Sequence, residues 1–178
     1  MKTAPWPSLV LSIYATTRGF AFALFEGPIS PIDWGVKDTR GWNRNAQCLE
    51  AVSKLIEMHQ PDVIVIEDCA VAGSRRSDRI RRLYRAIDVR ARHQAIETYR
   101  YSRTLVRETF LKLGAFTKDE IAEAIGKHIP AFEHRRPPIR RAWMSEDPRM
   151  GLFDATALVV TFFHFKAASD FPPFAGTS

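Results

Sequence analysis

Apolar and polar residues alternate in the N-terminal part of the chain in a way that predicts three consecutive strands. Residues 8–14 form an apolar run, Thr16–Gly19 follows as a polar turn, and residues 20–25 alternate large and small apolar side chains. Residues 29–36 can return as a third strand after Gly27-Pro28. Short connections join antiparallel neighbours, so we predict three antiparallel strands at the start of the chain.

A helix and a buried strand follow in the pattern. Residues 43–59 place Ala46, Leu49, Val52 and Ile56 on one stripe, which predicts an amphipathic helix. Residues 61–68, PDVIVIED, have the nearly continuous β-branched character of a central strand covered on both faces. We therefore expect this strand to run parallel to the first, with its carboxylates at its C-terminal end.

The second half of the chain is predicted to be mainly helical. The clearest start signal is a capping box, in which Thr117 bonds the amide of Glu120 and Glu120 reaches back. The predicted elements of this half are, in order, a helix from an N-cap at Ser77 to about Ile96, a short strand over 99–101, a helix from near Ser102, a helix over 119–128, a loop over 130–141, and a last helix from Asp147-Pro148 to Phe165.

Length and composition favour one domain. The chain has 178 residues, 46% of them hydrophobic, which is enough for one full core and too short to favour two domains. We predict an α/β fold with a mixed five-stranded sheet, three strands antiparallel and two parallel, flanked by helices. This domain is expected to span residues 1–168, and residues 169–178 to form an irregular, Pro- and Phe-rich tail.

The charge distribution favours a polyanionic partner. Lysine and arginine outnumber aspartate and glutamate by 26 to 20. Residues 73–92 alone hold eight arginines against two aspartates, and residues 134–143, HRRPPIRRAW, form a second basic cluster. Arginine offers a planar fork for phosphate oxygens, so these clusters predict nucleic-acid binding that weakens with salt.

The cysteines and the apolar runs indicate the cellular compartment in which the protein is expected. Cys48 and Cys69 lack the spacing and density of a secreted disulfide scaffold, which favours a reduced cytoplasm. The N-terminal apolar stretch is too short for a signal peptide. We expect no window to approach the roughly 20 apolar residues of a membrane span, and therefore no membrane partner.

Five carboxylates fall where predicted elements begin or end, or within the last helix: Glu67, Asp68, Glu146, Asp147 and Asp154. Acidic oxygens that hold two Mg²⁺ ions about 3.5 to 4 Å apart can activate water for phosphodiester hydrolysis. Asp154 interrupts an otherwise apolar helix, where an unpaired charge is expensive to bury. We therefore expect Asp154 to have a partner, either a cation or a hydrogen-bond donor.

The order of these motifs resembles the RuvC-type Holliday-junction resolvases of the RNase H-like superfamily, along most of residues 8–166. In that family the first strand ends in an aspartate, the fourth ends in a glutamate, and a C-terminal helix carries an aspartate before an alanine-rich run. The matching segments are LSIYATTRGFAFALFEG, PDVIVIEDC and FDATALVVTFF, and FTKDEIAEAI is similar to the lysine-containing helix start between them. The resemblance implies an RNase H-like fold, an Mg²⁺- or Mn²⁺-dependent endonuclease for branched or structured DNA, and a homodimer.

The resemblance fails at two positions. Glu67 and Asp154 match the acidic positions of the family, but Tyr14 replaces the first-strand aspartate, and the acid expected one helical turn before Asp154 falls on Gly151. The family's aspartate bridges both ions, and a phenol with a reference pKa near 10 is a poor Mg²⁺ ligand. Asp147 lies about 10 Å of helix rise from Asp154. It can replace a missing acid as a ligand of the same ion only if the loop and the side chains converge.

The predicted site combines these positions. Glu67, Asp154 and Asp147 are the predicted catalytic residues, Glu146 joins them as a predicted metal ligand, and Tyr14 is a degenerate site position. The predicted nucleic-acid contacts are Arg18, Arg75, Arg76, Arg79, Arg82, Lys118, Arg140 and Arg141.

Plainer roles are open for the same residues. Tyr14 can be a wall of the cleft, Asp154 can pair structurally with an arginine, and Glu146 and Asp147 can be helix caps. Three functions therefore stay open: a divalent-metal-dependent endonuclease, a nuclease-derived nucleic-acid-binding protein with reduced or lost catalysis, and a structural subunit of a recombination or mobile-element complex.

Overall fold

The computed structural model describes Pro7 and residues 9–170. The strands are β1 Val10–Ala15, β2 Gly19–Phe25, β3 Pro31–Asp38, β4 Val63–Glu67 and β5 Glu97–Tyr101. The helices are α1 Arg44–His59, α2 Asp78–His93, α3 Arg103–Leu111, α4 Lys118–His128 and α5 Met150–Asp170, and a short 3₁₀ helix, Pro130–Arg135, follows α4.

The strands form one mixed sheet in the order β3-β2-β1-β4-β5. β1 pairs antiparallel with β2, and β2 pairs antiparallel with β3. β4 lies parallel to both β1 and β5. The predicted α/β fold with a mixed five-stranded sheet is confirmed, and the parallel pairing brings the C-terminal ends of β1 and β4 to the same edge.

Alternate residues of β1 supply two separate cores, because neighbouring side chains of a strand point to opposite faces. Leu11 and Ile13 pack with α1 and α2, whereas Val10 and Tyr14 pack with α3, α4 and α5. Ser12 lies on the α5 face, and its hydroxyl donates to the carbonyl of Ala155 at 2.7 Å. The face that carries Tyr14 is therefore the face covered by α5.

Helix α5 is a core helix. Over Met150–Ala167 it is long and apolar enough to cross a membrane by length and composition, with a mean hydropathy of 1.2. The expectation that no window approaches a membrane span is therefore wrong for length and composition. Sixty-seven per cent of it is buried inside the fold, against β1 and β2 among others. We therefore assign its apolar composition to packing within the domain.

Several predicted boundaries differ from the structure: β3 covers Pro31–Asp38 rather than 29–36, α2 ends at His93 rather than near Ile96, and β5 begins at Glu97 rather than at Tyr99. Two further differences have a clear place in the packing. Residues 130–141 were expected to be a loop, but Pro130–Arg135 is helical because Phe132 is fully buried and packs against Trp34 and Phe153. The last helix begins at Met150 rather than at Asp147-Pro148, and it continues through Asp170. The first two residues of the predicted tail are thus helical, and residues 171–178 lie outside the described residues.

Candidate functional site

The three positions at the centre of the predicted site come together. Tyr14 near the end of β1, Glu67 at the end of β4 and Asp154 in the first turns of α5 line one pocket. Parallel β1 and β4 bring two of them to one sheet edge, and α5 crosses this face of the sheet. A second pocket adjoins the first, since Tyr14 and Asp154 also line it.

Glu67 is held by a cation of the chain itself. Its side chain is only 4% exposed, and its Oε2 accepts a hydrogen bond from Nε of Arg76 at 2.6 Å. Arg76 is 19% exposed, and its Nη2 also donates to the carbonyl of Ala15 at 2.7 Å. A charge-assisted, nearly buried pair of this kind compensates the cost of burying the Glu67 carboxylate.

Tyr14 is a neutral wall of the pocket that Glu67 and Asp154 also line. It is 9% exposed, and the Arg76 guanidinium lies 4.8 Å from the centroid of its ring. Burial raises the pKa of the Tyr14 phenol well above its usual range, and the charges of Asp154 and Glu67 raise it further. The phenol therefore keeps its proton at neutral pH and offers a metal ion no anionic oxygen.

Asp154 and Glu146 share one lysine. Nζ of Lys118 donates to Oδ2 of Asp154 at 2.9 Å and to Oε1 of Glu146 at 2.5 Å. Lys118 is the first residue of α4, and the predicted capping box of Thr117 and Glu120 is present at this helix start. The expectation that Asp154 has a partner is met by Lys118.

Burial raises the pKa of Asp154 to about 6, although the neighbouring Lys118 ammonium opposes that rise. The carboxyl thus exchanges its proton not far below neutral pH. Glu146, by contrast, is exposed at the rim of the cleft and contributes a smaller upward effect to the pKa of Asp154.

Asp147 is occupied by its own loop. Its two carboxylate oxygens accept hydrogen bonds from the guanidinium of Arg149 at 3.0 and 2.7 Å, and Oδ1 also accepts from the Arg149 amide at 2.9 Å. These bonds lower the pKa of the Asp147 carboxyl, and the side-chain hydrogen bond from Arg149 has the largest effect. Asp147 lines the second pocket with Glu146 and Arg18, but its charge is already compensated.

At Gly151, the position where the resemblance predicts a further acid, a side chain would be tightly packed. A Cβ atom built on Gly151 would lie 3.2 Å from Cβ of Ala21 and 3.3 Å from Cγ2 of Thr16. Both contacts are tighter than ordinary van der Waals packing. Glycine at 151 therefore lets α5 approach β2 closely, and a carboxylate there would push the helix away from the sheet.

The donor set does not fit a two-ion centre for Mg²⁺ or Mn²⁺. Glu67, Asp154, Glu146 and Asp147 each bond to a cationic side chain of the chain itself. Among the described residues, no three His, Cys, Asp or Glu side chains are grouped so that they could hold a metal ion. Hard divalent cations need several free oxygen ligands, and these carboxylates already neutralise internal cations.

The arginines of the predicted nucleic-acid surface divide into two groups. Arg76 and Arg79 point inward: Arg79 donates to the carbonyl of Thr16 at 2.7 Å, and Arg76 holds Glu67. Their placement does not support the predicted contact with phosphate, because their donors already satisfy buried acceptors. Lys118, which bonds two carboxylates, is constrained in the same way.

The remaining predicted contacts are exposed. Arg18 lies 3.7 Å from Asp38 in a loose ion pair, and Arg82 bonds the carbonyl of Asp78. The other exposed members are Arg75, Arg140 and Arg141. These five side chains stay predicted nucleic-acid contacts.

Sequence reasoning missed two cations of the cleft. Arg103 and Arg107 lie one turn apart on α3 and line the same pocket as Tyr14 and Asp154. Both are exposed, and no carboxylate pairs with either among the described residues. Their spacing of four residues in SRTLVRETF, directly after a strand parallel to β4, was the signal that could have found them.

The similarity of this chain to known proteins lies in its three-dimensional structure. No protein-family model matches the sequence, and no curated protein matches it significantly. Solved structures do match. RuvC of T. thermophilus in complex with a Holliday junction substrate aligns with a TM-score of 0.66 and 15% identity, over 91% of this chain and 97% of that one.

The chain has the RuvC-type RNase H-like fold. The yeast mitochondrial Holliday junction resolvase Ydc2 aligns with a TM-score of 0.65 and 13% identity, over 91% of this chain and 80% of that one. The fowlpox virus resolvase in complex with Holliday junction DNA aligns with a TM-score of 0.55 and 13% identity, over 88% of this chain and 99% of that one. The resemblance read from the sequence is thus confirmed at the level of the fold.

Proposed function

We propose that this protein binds branched or structured DNA through a RuvC-type cleft and does not cut it by a two-metal mechanism. It is then a nuclease-derived nucleic-acid-binding protein, the second of the functions left open by the sequence. Similarity to resolvases that hold Holliday junctions supports the substrate class. The Arg76–Glu67 pair supports the loss of metal chemistry.

The Arg76–Glu67 pair carries the proposal. A guanidinium bonded at 2.6 Å to a carboxylate that is 4% exposed occupies that ligand with a permanent positive charge. A divalent ion at the same carboxylate would have to displace Arg76 or lie beside it, and like charges at such distances repel strongly in a poorly solvated site. The neutral Tyr14 phenol adds no charge to offset that repulsion.

Binding itself is supported by exposed cations around the cleft. Arg103 and Arg107 face the pocket from α3, and Arg18 lines the adjoining second pocket. The formal net charge of the chain is +6. Phosphate neutralisation by such side chains releases counterions, which favours binding of a DNA backbone at low salt.

A metal-dependent endonuclease is the second candidate, favoured by the convergence of Tyr14, Glu67 and Asp154 in one pocket. The two functions separate in one assay. Purified protein is incubated with a labelled four-way junction, a flap and a duplex, with Mg²⁺ or Mn²⁺, beside Glu67→Gln and Asp154→Asn. We expect shifted but uncut junctions in all three proteins.

Cleavage that requires the metal and is lost in both variants would establish the endonuclease instead. Failure of the wild-type protein to shift any of the three DNAs at low salt would reject both candidates.

The cleft arginines give a quantitative test of the binding mode. Replacing Arg103 and Arg107 by alanine should reduce the slope of log K against log salt by about 0.9 for each lost phosphate contact. The matched control is Lys54→Ala with Lys127→Ala, which removes the same charge from two helix-surface lysines that pair with carboxylates four residues away. An unchanged slope in the arginine variant would place the DNA elsewhere on the molecule.

Two further expectations belong to this proposal. By resemblance the protein works as a homodimer, and its cysteines favour a reduced, cytoplasmic location. Sedimentation of the purified chain, alone and with a four-way junction, checks the first.

A further inference from the structure

Two of the three tryptophans among the described residues are presented to solvent. Trp42 is 98% exposed and Trp143 is 76% exposed. Tryptophan usually buries most of its large apolar surface in a folded domain. An indole left in water keeps a flat aromatic face available, and nucleic-acid bases stack on such faces with little regard to sequence.

Trp42 lies at the tip of a braced turn between β3 and α1. The amide and the hydroxyl of Thr39 donate to the carbonyl of Arg18 at 2.8 and 3.0 Å. Gln47 donates to the carbonyl of Arg40 at 2.8 Å, which fixes the other side of the turn. The turn is thereby fastened to Arg18, which lines the second pocket together with Asp38, and Trp42 lies four residues after Asp38.

Trp143 lies in the loop that enters the cleft from the opposite end of the chain. The guanidinium of Arg141 lies 5.4 Å from the centroid of its ring. Three residues later the loop reaches Glu146, which lines the second pocket and bonds Lys118. Both exposed indoles thus lie on segments that adjoin the second pocket, Trp42 four residues after Asp38 and Trp143 three residues before Glu146.

We propose that Trp42 and Trp143 are stacking platforms for unpaired bases at a DNA branch. The inference rests on the proposed function, since backbone contacts at the cleft arginines must bring the DNA to the platforms. In a continuous duplex every base is already stacked between its neighbours. A branch point or a single-stranded arm exposes base faces, so the platforms would select branched DNA over duplex.

The test measures binding of the full chain to a flap with an unpaired arm and to a blunt duplex of the same length, at one salt concentration. Trp42→Leu and Trp143→Leu keep an apolar side chain but remove the aromatic face, whereas Trp42→Phe and Trp143→Phe keep a face. We expect each leucine variant to lose roughly fivefold or more in flap affinity. Duplex affinity should change less than about twofold, and the phenylalanine variants should retain most of the flap affinity.

Ile139→Ala is the matched control. Ile139 is 76% exposed in the same loop as Trp143, but its aliphatic side chain cannot stack a base. Equal flap affinity in the wild-type protein and both leucine variants would overturn the platforms while leaving the proposed function intact. Equal losses on flap and duplex would overturn them as well. Absence of DNA binding by the wild-type protein would overturn the proposed function and the platforms together.

Discussion

The cleft has two halves that compensate the charge of a carboxylate in different ways. The Glu67 half consists of Glu67, Arg76 and Tyr14. The Asp154 half consists of Asp154, Lys118 and Glu146. Each neutralises a carboxylate with a cation of the chain. In the Glu67 half both partners are nearly buried, whereas the Lys118 side chain is 31% exposed and Glu146 lies at the rim.

That difference in solvent access has an energetic consequence. Water can replace a lost partner in the Asp154 half, and the Asp154 carboxyl can take up a proton because its pKa is about 6. Water cannot reach the Glu67 carboxylate, which is 4% exposed, without disrupting its surroundings. We therefore expect the loss of a partner in the Glu67 half to lower the free energy of unfolding strongly. A comparable loss in the Asp154 half should have a smaller effect.

The largest expected effect comes from removing Arg76. Arg76→Ala leaves the Glu67 carboxylate buried and unpaired, so we expect the free energy of unfolding to fall by about 3–5 kcal/mol in denaturant titrations. Arg75→Ala is the control, because Arg75 is exposed and shows no ion pair within residues 9–170; it should change stability by less than about 0.5 kcal/mol. A loss below about 1 kcal/mol in Arg76→Ala would remove the contrast between the two halves.

A smaller effect is expected from the titration of Asp154. The pKa of Asp154 is about 6 in the folded chain and about 3.9 in an unfolded one. Between these values the folded state keeps a proton that the unfolded state has lost. The stabilisation is therefore fully present below pH of about 4, and it is lost as the pH rises through about 6.

We expect the free energy of unfolding to decline with a slope from this group of at most about 1.4 kcal/mol per pH unit in that window. Asp154→Asn should remove this component of the slope, as measured by denaturant titrations between those pH values. An unaltered pH profile in Asp154→Asn would mean that the carboxyl is better solvated than its surroundings indicate.

The smallest expected effect comes from the cap that positions Lys118. The hydroxyl of Thr117 accepts from the amide of Glu120 at 3.2 Å at the start of α4. Thr117→Ala should lower the free energy of unfolding by about 1 kcal/mol, as for other N-cap replacements. Thr117→Ser retains the hydroxyl and should behave like the wild type. Equal losses in both variants would show that the cap contributes little to the Asp154 half.

The fold was largely readable from the sequence because its signals are local. The alternating pattern of β1 and β2, the apolar run of β4 and the capping box at Thr117 each depend on neighbours within a few positions. Boundaries failed where a distant contact decided them. Phe132 orders the segment after α4 only because Trp34 and Phe153 lie across the core.

The site was readable only in part. Residue type and position brought Tyr14, Glu67 and Asp154 into one expected pocket, and the structure places them together. Which cation pairs with which carboxylate depends on the path of a loop and on side-chain direction. Arg75 and Arg76 are adjacent in the sequence and chemically identical, yet one is exposed and the other holds Glu67.

The sequence by itself determined the order of elements, the faces of the strands and the presence of a neutral tyrosine, Tyr14, near the end of the first strand. Tertiary structure alone decided that Arg76 turns inward, that Gly151 packs tightly against Ala21 and Thr16, and that Arg103 and Arg107 reach the cleft. The physical reason is the separation along the chain over which each interaction acts. Periodicity and capping act within a few residues, whereas charge pairing and close packing join residues that are distant along the chain.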